Sequence, residues 1–142
     1  MREGMREAHP GIVLGFDFGT RRIGVALGNG ITRSARALAV IDRAATTARW
    51  REVAALIERW EPQQLVVGVA RYSDGQAHEM TARCERFARQ LEGRFGLPVA
   101  RVDERYSSAA LARRDARADA DDDEAAALIL QQWFDEDAQT AC

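Results

Sequence analysis

The sequence predicts an α/β domain built on a five-stranded mixed sheet, with the elements in the order β-β-β-α-β-α-β-α. Three observations predict it. Three strand-like apolar runs follow one another within the first 42 residues, close enough together to form a hairpin meander. Beyond them, helical stripes alternate with short apolar runs, the pattern of strands joined by crossover helices. The chain has 142 residues and 46% hydrophobic content, enough for one globular domain and too little for two.

Each element has its own warrant. GIVLGFDFG, residues 11–19, is a strongly apolar run with an acid near its end, and RRIGVALGNG follows it. Gly28, Asn29 and Gly30 carry hairpin-turn chemistry, which places the turn there. SARALAVID alternates well enough for a third strand. From Thr46 or Thr47, Trp50, Val53, Ile57 and Trp60 recur at helical spacing, and Pro62 stops that helix. QLVVGVA is a buried strand. Met80, Cys84, Phe87, Leu91 and Phe95 form a second helical stripe that ends near Gly96 and Pro98. LPVARVDE is the fifth strand, and a third helix spans about Asp121 to Phe134. The organisation is a loose tail over residues 1–10, one domain over 11–136, and a short tail over 137–142. Met5 is an alternative start. ARRDARADADDDE departs from globular composition, being dense in both charges, and reads as an exposed or mobile segment.

Composition excludes several classes of function. The 20 basic residues, all Arg, against 22 acidic ones give a formal charge of −2, so a nucleic-acid contact needs a local patch. The absence of Lys fits a coding bias, although Arg is also the better bidentate partner for phosphate. Two cysteines make no framework, the charged start lacks the apolar core of a signal peptide, and no apolar run reaches the roughly 18 residues of a membrane span. A cytoplasmic, reduced protein with no membrane partner is expected. Cys84 and the tryptophans at 50 and 60 lie on apolar stripes and read as core. His9 and His78 lack partners for a triad.

Asp17 is the informative residue. It stands between Phe16 and Phe18 in an apolar strand, and an ionised carboxylate there is costly unless it is paired or bound to a metal. Glu104 near the end of the fifth strand and the Asp cluster at 121–123 are the other acids that such a sheet can bring to one end. Clustered carboxylates suit Mg²⁺ or Mn²⁺. Two such ions about 4 Å apart activate a water and stabilise the leaving oxygen of a phosphodiester. Counting back from Trp133 through Ile129 and Ala126 or Ala125 reaches Asp122 on the stripe that faces the sheet. Asp121 suits an N-cap, with Glu124 completing a capping-box pattern, and Asp123 then faces solvent.

FDFGTRRIGVALG, QLVVGVARYSDG, the tripeptide DER at 103–105 and DDEAAALILQQWF at 122–134 resemble, in order and spacing, the four signature blocks of the YqgF/RuvX family. Its members are known as pre-16S ribosomal RNA nucleases or Holliday-junction-resolvase-like proteins. The resemblance runs from about Gly11 to Phe134 and implies a ribonuclease H-like fold. It also implies a divalent-metal phosphodiesterase, taking Mg²⁺ or Mn²⁺, that trims the 5′ end of 16S rRNA precursor in the bacterial cytoplasm. Carried across by motif, Asp17, Glu104 and Asp122 are the catalytic and metal-binding acids, with Asp74 as a reserve ligand. The implied partner is 16S rRNA precursor or the pre-ribosomal particle, with branched DNA as an alternative substrate. Monomer and homodimer both remain open.

The sequence departs from the family pattern in two places. The fourth-strand block reads GVARYSDG, with Ala70 and Arg71 where GLPLNMDG is usual, and the segment between DER and the last helix is shortened to YSSAALARRDARADAD. Arg113, Arg114 and Arg117 are the substitutes for that segment's usual Lys. Gly19 and Thr20 either approach a phosphate or simply make a tight turn. Arg21, Arg22, Arg71 and Arg105 either contact the nucleic-acid backbone, which positions without reading sequence, or are solvated charge. Arg105 alternatively holds Glu104, Ser107 and Ser108 suit a helix cap, and Tyr72 stacks on a base or packs in its loop. The fifth strand is expected beyond the fourth, which puts Glu104 two strand spacings, about 10 Å, from Asp17. Asp103 points to the opposite face and is expected to pair with an Arg. Two rival readings remain. The D-x-G-T loop also opens two-domain ATPases, for which this chain is too short, and a non-catalytic rRNA-binding module would keep the fold and the Arg-rich surface.

Overall fold

A computed structural model describes residues 11–19, 21–42, 46–69, 79–103 and 122–140. Its elements in chain order are β1 (Ile12–Phe18), β2 (Arg22–Asn29), β3 (Ser34–Asp42), α1 (Thr46–Trp60), β4 (Gln64–Val69), α2 (Glu79–Phe95), β5 (Val99–Asp103) and α3 (Asp122–Thr140). The sheet has five strands in the order β3-β2-β1-β4-β5. β1 pairs antiparallel with β2, and β2 antiparallel with β3. β4 lies parallel to β1, and β5 parallel to β4. The expected element order and the mixed sheet are both present.

Alternation along the strands divides the core between the two faces of the sheet. Leu14, Phe16 and Phe18 of β1, Ile23, Val25 and Leu27 of β2, and Leu65, Val67 and Val69 of β4 pack on one face with Trp50 and Val53 of α1 and Phe87 and Leu91 of α2. Val13, Ala26, Val66 and Val102 pack on the other with Ala126, Ile129, Leu130 and Phe134 of α3. β1 is central, with helices on both faces, so all of its residues but Ile12 are buried.

Two boundaries differ from the sequence reading. The β2–β3 hairpin does not turn at Gly28 and Asn29, which remain in the strand; the turn is Gly30–Arg33. The Asn29 side chain explains the shift, because its Oδ1 accepts hydrogen bonds from the backbone N–H of Ile31 at 2.8 Å and of Thr32 at 3.2 Å. α3 continues past Phe134 to Thr140. Its buried stripe is Ala125, Ala126, Ile129, Leu130 and Phe134, with Trp133 only partly buried at its margin. The proposed cap Asp121 lies outside the described residues.

The two helices on the aromatic face end differently. α2 stops where expected, at Gly96, whose φ of 66° is a left-handed cap and whose N–H donates to Glu92 O at 2.9 Å. α1 ends the same way on a side-chain-bearing residue, Glu61, at φ 48°, just before Pro62. Gln63 then returns the chain to the sheet by donating its N–H to Ile12 O at 2.9 Å.

Candidate functional site

Asp17 lies on the α3 face of β1, in alternation with Val13 and Gly15. It is 1% exposed, one of only two polar side chains among the described residues that are so deeply buried. Its flanking residues fix it from behind. Phe16 meets Phe87 edge-on at 5.7 Å between ring centroids, and Phe18 stacks on the same ring at 4.7 Å. Two anchored aromatic rings pin the backbone on either side of the acid, so it cannot swing out to water without unpacking the other face. The carboxylate Oδ2 is buried and accepts no hydrogen bond, while the residue makes other interactions.

Glycine surrounds that carboxylate. Along β1 the same-face neighbours of Asp17 are Gly15 and Gly19. Across the sheet Asp17 pairs with Gly24 of β2. On β4, Phe16 pairs with Val67, so the next residue, Gly68, comes level with Asp17. The sequence reading missed Gly24 and Gly68 as part of the site. The signal was present, because an isolated glycine inside a strand pattern marks a close approach of backbone or ligand. What the sequence could not supply was the register that puts both beside the same acid.

α3 approaches this face closely. A Cβ placed on Gly15 would lie 3.0 Å from Leu130 Cβ, and one on Gly28 would lie 2.7 Å from Leu130 Cδ2 and 3.0 Å from the Phe134 ring. Leu130 thus lies over both glycines and Phe134 over Gly28, which pairs with Val13 near the start of β1. α3 therefore runs toward the start of β1, and its first residue, Asp122, belongs to the end that points toward Asp17. Ala126, one turn after Asp122, is fully buried against the sheet. At the other edge, β5 is separated from β1 by β4, and its last residue, Asp103, pairs with Val69. β5 therefore ends level with the end of β1. The expected two-strand separation is present.

The remaining site residues divide by what is described. Gly19 closes the β1–β2 connection by donating its N–H to Arg22 O at 2.9 Å, and Arg21 and Arg22 are exposed beside it. Thr20, Arg71, Asp74, Glu104, Arg105, Arg113, Arg114 and Arg117 lie outside the described residues. Asp122 is described as the start of α3 but not in its side chain. Among the described residues no group of three or more His, Cys, Asp or Glu side chains is placed to hold a metal ion. Asp103 sits on the α2 face of β5, in alternation with Arg101, whose guanidinium reaches Glu85 at 3.2 Å and Glu92 at 2.7 Å. That cluster fastens α2 to the edge of the sheet, away from Asp17. Among the described residues no helix is long and apolar enough to cross a membrane.

Comparison with known proteins adds to this geometry. A family model described as RuvX, Holliday junction resolvase, matches residues 11–136. The chain is 53% identical over 131 residues to a Burkholderia vietnamiensis protein named "Putative pre-16S rRNA nuclease", covering 87% of this chain and 88% of that one. A Burkholderia ambifaria protein of the same name is 51% identical over 137 residues, covering 91% and 92%. Among solved structures, RuvC of T. thermophilus in complex with a Holliday junction substrate aligns with a TM-score of 0.55 at 17% identity, over 92% of this chain and 97% of that one. The fowlpox virus resolvase, solved with Holliday junction DNA, aligns with a TM-score of 0.53 at 14% identity, over 88% and 97%. At such identities the two structures speak to the fold, which is the ribonuclease H-like one.

Proposed function

Because this chain belongs to the RuvX family, we propose that it is a nuclease that hydrolyses the phosphodiester backbone of precursor 16S rRNA. The observation that carries the reading is Asp17, a buried acid on a central strand with glycine on all four same-face sides. A structural acid in a core is normally surrounded by the donors that satisfy it. This one has glycine on each same-face side, and its buried Oδ2 accepts no hydrogen bond although the residue makes other interactions.

The residues fit a divalent cation such as Mg²⁺ or Mn²⁺, because Asp17 supplies a buried hard oxygen whose same-face neighbours, Gly15, Gly19, Gly24 and Gly68, carry no side chain. Asp17, Glu104 and Asp122 would hold it, with Asp74 in reserve. When bound, the metal supplies an activated water and a counter-charge for the leaving oxygen. The chain's own contribution is rigidity and access. Phe16 and Phe18, locked on Phe87, keep the carboxylate in place; Gly24 and Gly68 leave room for a sugar-phosphate to approach it. Arg21 and Arg22, exposed at the β1–β2 connection, contact backbone phosphates, as do Arg71, Arg105, Arg113 and Arg114, while Gly19 and Thr20 form the close approach. Such contacts hold a polynucleotide without selecting its sequence.

The test compares cleavage of precursor 16S rRNA and of a four-way DNA junction by the purified protein, with Mn²⁺ or with EDTA, and by Asp17→Asn. The expected result is cleavage of the rRNA, abolished by EDTA and reduced at least about 10³-fold in Asp17→Asn, which retains its fold. Preferential cleavage of the junction transfers the same site to branched DNA. Binding of precursor without cleavage, unchanged by Asp17→Asn, reduces the protein to a non-catalytic assembly factor.

A further inference from the structure

On the opposite face of the sheet from Asp17, two arginines share one tryptophan and, among the described residues, have no anion. Arg94, near the end of α2, places its guanidinium carbon 4.2 Å from the centroid of the Trp50 ring, and Arg49, in the first turn of α1, lies 5.8 Å from it. Trp50 itself is core, 6% exposed and stacked on Phe87 at 5.5 Å, so the platform under both cations is rigid. Among the described residues neither arginine has a carboxylate partner or a hydrogen bond.

Three features of this cluster are unfavourable as they stand. The Arg49 Nε–H is buried and has no acceptor, and neither has the Trp50 Nε1–H. The first turn of α1 carries no acidic residue, so the partial positive charge of that helix end adds to Arg49 instead of being offset. Burial, and then the nearby Arg94 cation, hold the Arg49 guanidinium below its ordinary pKa. Cations on a fold are normally turned out into water, as the exposed Arg21 is. Here one is drawn inward, beside another of the same sign.

We propose that Arg49, Trp50 and Arg94 form a phosphate-binding site on the α1/α2 face, separate from the proposed catalytic face. A phosphate group supplies the missing acceptor for Arg49 and the counter-charge for both guanidinium groups, in the planar geometry that arginine favours. Arg94 is exposed, so a ligand reaches the pair from solvent. The phosphate comes either from a polynucleotide backbone, giving substrate a second grip, or from a free phosphate compound. The site itself does not depend on the nuclease reading; only the backbone source does.

The experiment measures thermal unfolding of the full chain in sodium phosphate and in sodium chloride at matched ionic strength, for the wild type and for Arg49→Gln/Arg94→Gln. Phosphate stabilises proteins generally, so the reading is the difference between the two proteins. An extra phosphate-dependent rise of about 3 °C or more in the wild type is expected. Equal rises in both proteins overturn the proposal. Arg94→Gln alone, at an exposed position, gives the same reading if the double variant does not fold. A second arm follows binding of a single-stranded RNA oligonucleotide in EDTA across a salt series. Loss of two phosphate contacts lowers the steepness of log K against log salt by about 1.4. A shallower slope in the variant, together with loss of the phosphate shift, assigns the site to a polynucleotide backbone. Loss of the phosphate shift with an unchanged slope assigns it to a free phosphate compound. Asp17→Asn retains the phosphate shift, so failure of the nuclease reading and failure of this site are separately visible.

Discussion

The two faces of β1 use the same seven residues for opposite ends. The residues at 14, 16 and 18 are Leu, Phe and Phe, and they meet Trp50, Phe87 and Leu91 in an aromatic layer. Those at 13, 15 and 17 are Val, Gly and Asp, and beyond them lie Gly24, Gly28 and Gly68 on neighbouring strands. One face is filled by large side chains from both partners. The other is kept low, so that α3 comes close at one end and an acid stands among glycines at the other. A central strand can thus spend its stability on one face and its chemistry on the other, because alternation makes the two sets of side chains independent.

The sharpest way to break that division is to remove the ring on which the packed face converges. Phe87→Ala deletes the partner of Phe16, Phe18 and Trp50 together and leaves a cavity among residues that cannot collapse into it. A loss of about 3–5 kcal/mol in unfolding free energy is expected, measured by urea denaturation. Because Phe16 and Phe18 hold the backbone beside Asp17 through the same ring, cleavage per folded molecule is expected to fall as well. A folded fraction that cleaves at the wild-type rate would show that the aromatic layer holds the fold without positioning Asp17.

Gly28→Ala strikes the other face at the place where α3 sits lowest. The new Cβ would lie 2.7 Å from Leu130 Cδ2 and 3.0 Å from the Phe134 ring, so the helix must give way. Overpacking of this kind costs about 1–3 kcal/mol. Since Asp122 opens the same helix, cleavage is expected to fall by more than stability predicts. The comparison is between unfolding midpoint and initial cleavage rate in the same preparation.

This asymmetry was only partly legible in the sequence. The packed face announced itself, because Trp50, Val53, Cys84, Phe87 and Leu91 recur at helical spacing and β1 is apolar throughout. Asp17 was equally plain, as the one acid in that strand. The glycine frame was not. Gly24 and Gly68 are forty-four positions apart, and only pairing register, a property of the folded sheet, makes them neighbours of one carboxylate. The hairpin misreading has a related cause: Gly28 looks like a turn residue, yet its missing Cβ serves the approach of Leu130 from a helix a hundred residues away. Glycine in a sequence signals permissiveness, and local pattern cannot say whether the freedom is used by the backbone or by a neighbour.

Gly24→Ala isolates that second use. In a strand, alanine is favoured over glycine by about 0.5–1 kcal/mol, so the variant is expected to be as stable as the wild type or more so. One methyl group beside Asp17 nonetheless narrows the space in front of its carboxylate. A roughly tenfold loss of cleavage rate, about 1.4 kcal/mol in activation free energy, is expected with no loss of unfolding midpoint. Stability and activity that fall together would show the glycine to be structural.

The smallest effect belongs to the ion cluster that closes the packed face at its edge. Arg101 donates to Glu92 at 2.7 Å and to Glu85 at 3.2 Å, joining β5 to α2. Its hydrogen bond to Glu92 is the main cause that holds the Glu92 carboxyl below its ordinary value of 4.5; burial opposes it, and the Arg101 and Arg89 charges add to it. A depressed acid stabilises the fold above its unfolded-state pKa, and that contribution is lost as pH falls through the lower folded-state value. Glu92→Gln should therefore melt slightly below the wild type at pH 7, and the gap should close as pH drops below about 4.5. Because the pair is exposed, salt should narrow the gap as well. Cleavage at pH 7 should not change, since the cluster lies on the α2 side of the sheet. A rate that followed Glu92 would couple the two faces through β5, the strand that leads directly into Glu104.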